Sequence, residues 1–289
     1  MLKRALIGAG AVLLTLGLVA ACAPVQLLNG ITPSRSFNLE KNLSYGELDR
    51  HKLDIYRAET PKAGAPVLVF IHGGGWDSGS KDIYKFLAEG FTLEGYDVVV
   101  PNYRLYPEAR YPDFLEDSAK AVAFTARQFE GRPLVLMGHS AGAYNVLMLG
   151  LNGDYLLENM TDVCQTVSGI VSLAGPVGIV PLESDPLITI FPDRFTKEDA
   201  PLNHADNLVP ALLLINGDED KSVYPQNAQA LGEKVSERGG KADVKIYEGL
   251  DHIDVVRLLS RHFDGDSSLK SDILAFIGRL PKEADNYCR

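Results

Sequence analysis

The sequence of 289 residues has few cysteines, no excess of positive charge and no internal repeat. Its three cysteines, Cys22, Cys164 and Cys288, are too few for a disulfide scaffold and include no CxxC pair. The formal net charge of −10 provides no basic surface of the kind that binds nucleic acid. No repeat of solenoid length is present. The sequence also lacks a cluster of residues with metal-ligand spacing, so we expect no metal site.

The bulk composition is that of an ordinary globular protein. Hydrophobic residues make up 46% of the chain and charged residues 23%. These values exclude a disordered acidic chain and a protein with several membrane spans. The length suits one large domain or two small ones.

The N-terminus has the features of a bacterial export signal. Lys3 and Arg4 precede an apolar run that ends in small residues before Cys22. The sequence Val-Ala-Ala-Cys at 19–22 resembles the lipobox of bacterial lipoproteins. This resemblance implies a signal peptide over residues 1–21 and a lipid on Cys22, which would anchor the protein in the bacterial cell envelope, on the periplasmic side or at the cell surface. A plain signal peptide or an uncleaved anchor helix remain alternatives, since the run is near the ~18 residues that span a bilayer.

The segment after the signal peptide, residues 22–42, has no hydrophobic periodicity and predicts a tether. The folded domain is then expected over residues 43–289. Export would make a disulfide between Cys164 and Cys288 possible. The sequence does not show whether these two residues lie close enough to bond.

Two short stretches at 43–47 and 51–57 predict an antiparallel hairpin or meander, and the chain after them alternates between strand-like and helix-like segments. Strand-like apolar runs lie at 66–71, 97–101, 133–137, 169–174, 211–215 and 244–247, and helix-like stretches at 81–94, 112–129, 140–150, 224–238 and 267–279. This alternation predicts an α/β fold with a mostly parallel, twisted sheet and helices on both faces.

A proline-rich segment at about 175–208 interrupts this alternation. It holds five prolines and one short apolar patch at 187–191. A loop of this length in a compact domain is usually functional, so the segment predicts a lid or a pocket wall. An ordinary surface excursion is the alternative.

The sequence Gly-His-Ser-Ala-Gly at 138–142 is the strongest chemical signal. It follows an apolar strand and precedes a helix, which is the setting of a nucleophile elbow. The glycines allow the tight turn, and the free N–H groups at the helix start favour developing negative charge. Ser140 is therefore the candidate nucleophile, and a structural glycine turn is the alternative.

A second glycine-rich motif, His-Gly-Gly-Gly-Trp at 72–76, ends another apolar strand. Its main-chain N–H groups could approach a substrate oxygen, as in an oxyanion hole that is completed by the N–H of Ala141. An anion-binding loop is the alternative. The motif lacks the Lys and Ser/Thr of a phosphate-binding loop, so phosphate fits poorly.

The acid and the base of a catalytic triad are expected later in the chain. Asp220 follows the apolar run at 211–215 and is the preferred carboxylate, with Asp218 and Glu219 as competitors. His252 follows the last strand-like run and is the candidate base. His262 lies within a helix-like stretch and is expected on the surface.

Three other histidines carry no catalytic expectation. His139 adjoins Ser140, but neighbours at an elbow point in different directions, so we interpret it as a packing residue that could also line a pocket. His51 and His204 belong to no motif and are assigned to structure or surface.

These motifs together resemble the α/β-hydrolase fold, in particular esterases with an HGGG oxyanion loop. The resemblance spans about residues 43–280. Within this fold, the sequence is most similar to the group that contains hormone-sensitive-lipase-like, feruloyl-esterase-like, isoprenylcysteine methylesterase and arylformamidase enzymes. The resemblance is carried by LDIY at 53–56, HGGGW at 72–76, NYRLYPE at 102–108, YP at 111–112 with Asp117, GHSAG at 138–142, NGDED at 216–220 and His252.

The resemblance implies a role for each matching residue. Ser140 becomes the nucleophile, Asp220 the acid and His252 the base. The oxyanion-hole N–H groups are those of Gly74, Gly75 and Ala141. Tyr103, Arg104 and Asp117 become residues that brace the loops near the site.

The sequence departs from the family in two places. It has no long N-terminal helical cap, which puts a deep, capped acyl pocket in doubt. Trp76 follows the glycines, and its ring is expected to narrow the site, so Trp76 and His139 are the candidate pocket residues.

The resulting prediction is a serine carboxylesterase that acts through an acyl-enzyme on small or medium acyl esters, with no cofactor. Its expected partners are a small-molecule ester substrate and the membrane that holds its lipid anchor, and its oligomeric state is left open. An amide or formamide hydrolase, arylformamidase-like or peptidase-like, could use the same triad. The third hypothesis is a catalytically inactive protein that binds components of the cell envelope, although no triad residue is missing.

Overall fold

The computed structural model describes residues 27–178, 187–191, 195, 199–205, 209–283 and 286–288. The predicted signal peptide, Cys22 and the first residues of the predicted tether lie outside the described residues. Within the described ranges, no helix is long and apolar enough to cross a bilayer.

Eight strands form one sheet. They are β1 Phe37–Ser44, β2 Lys52–Ala58, β3 Val67–Ile71, β4 Val98–Pro101, β5 Leu134–His139, β6 Val167–Leu173, β7 Ala211–Gly217 and β8 Ala242–Tyr247. Their order across the sheet is β1-β2-β4-β3-β5-β6-β7-β8. The first two strands are antiparallel to their neighbours, and β3 to β8 are mutually parallel. All of the predicted strands are present, which confirms the mostly parallel sheet.

Helices lie between the parallel strands and after the last of them. From β1 onward, in the described part of the chain, they are α1 Lys85–Thr92, α2 Asp113–Gln128, α3 Ala141–Leu151, α4 Asp154–Leu157, α5 Val163–Thr166, α6 Leu187–Ile190, α7 Gln226–Glu237, α8 Asp254–Arg257 and α9 Leu269–Arg279, with 3-10 helices at Lys81–Ile83, Pro201–His204 and Arg261–Phe263. Residues 27–31, before β1, are also helical. We call the edge at which β3 to β8 end the carboxyl edge, and the opposite one the amino edge.

The side chains of each central strand alternate between two hydrophobic cores. In β3, Val67, Val69 and Ile71 enter one core, while Leu68 and Phe70 enter the other. The first core is covered by α2, α3 and α7, and the second by α1 and α9. Because both faces are buried, the strands are continuous apolar runs in the sequence. The motifs that hold the candidate residues follow the ends of β3, β5 and β7. They therefore lie at the carboxyl edge, where ligands gather in open α/β sheets.

The sheet begins earlier than the sequence predicts. The sequence predicts a tether that includes residues 37–42, but these residues form most of β1, which pairs with β2 from Phe37 opposite Ala58. β1 lies at the outer edge of the sheet and is largely exposed. Its Asn, Glu and Lys residues hide the alternation that marks a half-buried strand, since charged residues are usual on edge strands.

Parts of the predicted lid segment at 175–208 pack onto the body of the domain. The backbone N–H of Tyr111 donates to the carbonyl of Ile190 at 2.9 Å. The backbone N–H of Val177 donates to Oδ1 of Asn227 in α7 at 3.0 Å. Phe191 contacts the ring of Trp76, with 4.9 Å between the ring centroids. Residues 179–186, 192–194, 196–198 and 206–208 of this segment lie outside the described residues. A lid function therefore stays a prediction.

A disulfide joins Cys164 in α5 to Cys288 near the C-terminus, with 5.2 Å between the Cα atoms. The two cysteines are 124 residues apart in sequence. The backbone N–H of Tyr287 also donates to the carbonyl of Cys164 at 2.6 Å. The C-terminal segment is thus fixed beside the start of β6.

Replacing both Cys164 and Cys288 with alanine is expected to lower the free energy of unfolding by about 2–5 kcal/mol, because the bond closes a long loop and restricts the unfolded chain. Urea denaturation of the oxidised protein and of the double variant measures this difference. Addition of a reductant should destabilise the parent protein by a similar amount and leave the double variant unchanged. Equal stability of all three samples would show that the bond does not form or does not stabilise the fold.

Candidate active site

Ser140 lies in a strained turn between β5 and α3, at the centre of the carboxyl edge. Its backbone has φ 54° and ψ −120°, a conformation that side-chain-bearing residues rarely adopt. Its N–H donates to the carbonyl of Leu173 at the end of β6, at 2.9 Å. This strain is typical of a nucleophile elbow, which holds the serine side chain clear of the sheet.

Two glycines of the motif are required by close backbone approach. A Cβ atom at Gly138 would collide with the carbonyl oxygen of Gly142, and one at Gly142 would collide with the carbonyl oxygen of Ile71. The elbow therefore turns tightly against the end of β3, which positions Ser140 beside the glycine-rich loop at 72–76.

The structure brings Asp220 and His252 together, although 31 residues separate them. Oδ2 of Asp220 lies 2.8 Å from Nδ1 of His252. The carboxylate is buried, while the imidazole is 17% exposed. Asp218 instead accepts a hydrogen bond from the backbone N–H of Gly249 at 2.7 Å, and Glu219 is exposed. Of the three acidic residues, Asp220 is the one that contacts the histidine.

Hydrogen bonds keep the Asp220 carboxylate ionised. Its Oδ1 accepts the backbone N–H groups of Ser222 and Val223, both at 2.8 Å. Burial by itself raises the pKa of Asp220, but the bonds from His252 and from these backbone groups outweigh it and hold the pKa below its ordinary value. An ionised partner favours the Nδ1–H tautomer of His252, which leaves Nε2 able to accept a proton.

The His252 ring lies next to the elbow. The centroids of the His252 and His139 rings are 4.8 Å apart, and Nε2 of His139 lies 2.8 Å from the carbonyl oxygen of His252. His139 directly precedes Ser140 in the chain. The three sequence-predicted stretches therefore meet at the carboxyl edge.

The glycine-rich loop lies against the serine. An ideal Cβ at Gly73 would be 3.2 Å from Cβ of Ser140, so a side chain there would crowd the elbow. Gly74 and Gly75 have φ values of 118° and 60°, which glycine adopts without strain. No acceptor in the described part of the chain takes the N–H groups of Gly74, Gly75 or Ala141. These N–H groups are the candidate donors to a substrate oxygen.

Buried aromatic residues fix the start of this loop. The ring of His72 stacks on Tyr103, with 4.4 Å between their centroids, and Oη of Tyr103 donates to the carbonyl of His72 at 3.0 Å.

Asp117 accepts from the backbone and the guanidinium of Arg104 and lies 2.9 Å from Nε2 of His51. Tyr103, Arg104, Asp117 and His51 are thus placed as structural supports.

Trp76, predicted to narrow the site, is 4% exposed. Its indole N–H donates to Oδ1 of Asn145 in α3 at 3.0 Å, and its ring contacts Phe114, Tyr144 and Phe191. The ring belongs to an aromatic cluster beneath the lid segment, next to the oxyanion loop. Its role in a substrate pocket stays a prediction.

Two polar contacts of the site are not evident from the sequence. The side-chain N–H₂ of Asn216 lies 3.3 Å from Oδ2 of Asp220 and donates to the carbonyl of Val223 at 2.8 Å, which braces the acid loop. His139 holds the backbone of His252. The position of Asn216 at the end of an apolar strand was a signal, but its partner could be identified only in three dimensions. His262 is exposed, as expected, and His204 lies in a 3-10 helix.

The burial of two histidines makes the fold sensitive to acid. Burial lowers the pKa of His72 to about 4, and burial together with the neighbouring His252 lowers that of His139 to about 3. Above pH 6.5 both residues are neutral in the folded and the unfolded chain, so they do not affect stability. Below pH 6.5 the unfolded chain binds protons that the folded protein does not. This difference lowers the free energy of unfolding by about 1.4 kcal/mol per histidine for each pH unit.

We expect this pair to remove about 4 kcal/mol of stability between pH 7 and pH 5. Urea unfolding at the two pH values measures the loss. His139→Gln should reduce the loss by about half, whereas His262→Gln, at an exposed site, should leave it unchanged. An unaltered pH dependence in His139→Gln would mean that His139 does not stay neutral in the fold.

No group of three or more His, Cys, Asp or Glu side chains is arranged to hold a metal ion in the described ranges. The expectation of a cofactor-free site stays a prediction.

Two protein-family models match the chain. A family model described as BD-FAE matches residues 53–235, and a model of the prolyl oligopeptidase family matches residues 192–280. The first match includes Ser140 and Asp220, and the second includes Asp220 and His252. Together they cover the candidate triad.

Among curated proteins, the chain is 24% identical to isoprenylcysteine alpha-carbonyl methylesterase of Arabidopsis thaliana over 84% of this chain and 62% of the relative. It is 28% identical to kynurenine formamidase of Salmo salar over 82% of both chains. The chain spans less than two thirds of the length of the plant relatives.

Among solved structures, esterase B from Lactobacillus rhamnosis superimposes with a TM-score of 0.76 at 16% identity, covering 94% of this chain and 95% of the other. This similarity concerns the fold and confirms the α/β-hydrolase architecture that the motifs predict.

Proposed function

Since its matched region covers most of the chain, the protein belongs to the BD-FAE family, and we propose that it is a serine hydrolase of carboxylic esters. The proposed substrates carry small or medium acyl groups. The observation that supports this most is the buried Asp220 carboxylate 2.8 Å from His252, at the same edge as the strained Ser140 turn and the HGGG loop. This arrangement has the parts that acyl transfer from an ester requires.

In the proposed reaction, His252 takes the proton of Ser140 through Nε2 while the serine oxygen attacks the ester carbonyl carbon. Asp220 accepts from Nδ1–H and stabilises the imidazolium that forms. The resulting oxyanion accepts hydrogen bonds from the main-chain N–H groups of Gly74, Gly75 and Ala141. One such donor typically contributes about 3–4 kcal/mol to transition-state stabilisation.

Collapse of this first tetrahedral intermediate breaks the bond to the alcohol, which leaves with the proton from His252. The acyl group is then bonded to Ser140. A water molecule, deprotonated by His252, attacks the acyl carbon, and the second collapse releases the acid and restores the serine. No metal or organic cofactor takes part in these steps.

Hydrolysis of p-nitrophenyl esters of increasing acyl length by the purified protein tests this proposal. We expect the fastest turnover on short and medium chains. A matched panel of anilides and formanilides should be hydrolysed far more slowly. Absence of ester turnover would contradict the proposal.

An amide or formamide hydrolase is the second candidate. It is favoured by the similarity to a kynurenine formamidase over most of both chains and by the match to the prolyl oligopeptidase family. The same triad could cleave either bond. A higher kcat/KM on the formanilides than on the matched esters would establish this alternative.

We also propose that the protein is lipid-anchored in the cell envelope through Cys22. The support is the lipobox-like sequence at 19–22 after a positively charged and apolar segment. Metabolic labelling with an alkyne fatty acid in a bacterial host should mark the full chain, and Cys22→Ala should abolish the label. Labelling that persists in Cys22→Ala would place the lipid elsewhere, and an unlabelled parent chain would exclude the anchor.

A further inference from the structure

The first described residues run along helix α1. Leu28 is buried in the second core, and the side-chain N–H₂ of Asn29 donates to the carbonyl of Asp82 at 2.7 Å. Further on, the Ser36 and Thr92 hydroxyl oxygens are 3.0 Å apart. Asp82 precedes α1 and Thr92 is its last residue. Because α1 starts beyond the end of β3 and returns toward the start of β4, Asn29 lies toward the carboxyl edge and Ser36 toward the amino edge.

The chain therefore enters the domain on the side where the candidate active site lies. Leu27 lies only five positions after Cys22 in the sequence. Five residues span at most about 18 Å when fully extended. A lipid on Cys22 would hold this side of the domain close to the bilayer, which favours the carboxyl edge as the one that faces the membrane.

Large exposed apolar side chains surround this edge. They are Leu27, Leu48, Ile188 and Tyr224, with exposed fractions of 68%, 45%, 49% and 62%. Leu48 lies in the turn between β1 and β2, Ile188 in α6, and Tyr224 between Asp220 and α7. Apolar side chains and amphipathic tyrosines are suited to the interface between water and lipid.

Exposed apolar residues alone do not distinguish the two edges. Leu157 and Met160 follow α3, which runs from Ser140 to the amino edge, and they are 63% and 91% exposed. The site at which the tether enters makes the distinction. Leu157 and Met160 are thus a matched control for the opposite edge.

Charge offers no general attraction to lipid. The formal net charge of −10 would repel an anionic membrane surface. The contact must then depend on the anchor and on apolar side chains, and it should depend little on salt.

We infer that the carboxyl edge, with its four exposed apolar residues, rests on the lipid bilayer, and that the substrates are esters presented at the membrane surface. This inference rests on the proposed ester hydrolysis and on the proposed anchor at Cys22. The partner that this edge contacts is a lipid surface, and the contact would place the mouth of the candidate active site against the bilayer.

The orientation is tested with the lipidated full chain in vesicles of phosphatidylethanolamine and phosphatidylcholine that carry brominated acyl chains. Bromine quenches tryptophan only when the two are close. The natural Trp76 is buried and gives a constant background. We expect Leu48→Trp, at the carboxyl edge but remote from the anchor in sequence, to be quenched and Leu157→Trp to retain its fluorescence. Equal quenching of both, quenching of Leu157→Trp alone, or quenching of neither would overturn the inference.

The substrate class is tested in the same vesicles with a long-chain ester embedded in the bilayer and a water-soluble p-nitrophenyl ester. Leu27→Ser with Leu48→Ser should lower hydrolysis of the embedded ester about tenfold, the factor for about 1.4 kcal/mol of lost apolar contact. Hydrolysis of the soluble ester should not change, and Leu157→Ser with Met160→Ser should affect neither.

These outcomes separate the two proposals. If no variant hydrolyses the soluble ester, the proposed function fails, while the quenching still reports the orientation. If the parent hydrolyses the soluble ester but not the embedded ester, the inferred substrate class is wrong. It is also wrong if the Leu27→Ser, Leu48→Ser variant hydrolyses the embedded ester as fast as the parent does.

Discussion

Ser140→Ala is expected to lower kcat for ester hydrolysis by about 10⁵- to 10⁶-fold, with KM little changed. The members of a triad act as a unit, so loss of the nucleophile removes nearly all covalent catalysis. The proposed oxyanion donors, the N–H groups of Gly74, Gly75 and Ala141, remain and should leave a small residual rate over water. Steady-state kinetics on a short p-nitrophenyl ester measure the effect.

Ser222→Ala is a suitable control for this experiment. Ser222 is exposed at the same edge, and its contribution to the site is the backbone N–H that Asp220 accepts, which the substitution preserves. This variant should keep kcat within about threefold of the parent. Ser140→Ala should keep the parent's unfolding midpoint in urea. Parent-like activity in Ser140→Ala would show that another group is the nucleophile.

Asp220→Asn is expected to lower kcat by about 10⁴-fold, the second largest effect. The substitution keeps the size of the side chain but removes the charge that stabilises the His252 imidazolium. An amide can also present N–H₂ to Nδ1 and so favour the wrong tautomer of the ring. Steady-state kinetics of both proteins on a short p-nitrophenyl ester measure this loss.

Asp218→Asn is the matched control for Asp220→Asn. Asp218 lies two residues away in the same loop and accepts only the backbone N–H of Gly249 among its described hydrogen bonds. Asparagine can accept the same bond, so kcat should stay within about threefold of the parent. If the two variants lost activity equally, the catalytic acid would not be distinguished by its contact with His252.

Local patterns in the sequence predict most of the sheet. Strands such as β3 and β5 are short apolar runs because both of their faces are buried, and α2 has acidic residues in its first turn and a basic residue in its last. The start of β1 is predicted at residue 43 and lies at Phe37, because the exposed position of this strand permits a polar sequence. The short helices α4, α5 and α8, of four residues each, are too brief to show a helical period.

Part of the site is local and part is not. Ser140 and the HGGG loop could be predicted because the glycines that their tight turns require lie within a few residues of them in the sequence. The sequence favours Asp220 but does not exclude Asp218 and Glu219, because the choice depends on which carboxylate faces a histidine 32 positions later. The same holds for the bond of His139 to the carbonyl of His252 and for the Cys164–Cys288 pair.

Covalent labelling with a fluorophosphonate tests the central claim most directly. The probe reacts with a serine oxygen only when a neighbouring base activates it and oxyanion donors stabilise the adduct. We expect one adduct per chain, located on Ser140 by peptide mass spectrometry, with ester hydrolysis lost in proportion to labelling and no label in Ser140→Ala. Full ester hydrolysis by a protein that remains unlabelled at Ser140 would contradict the account.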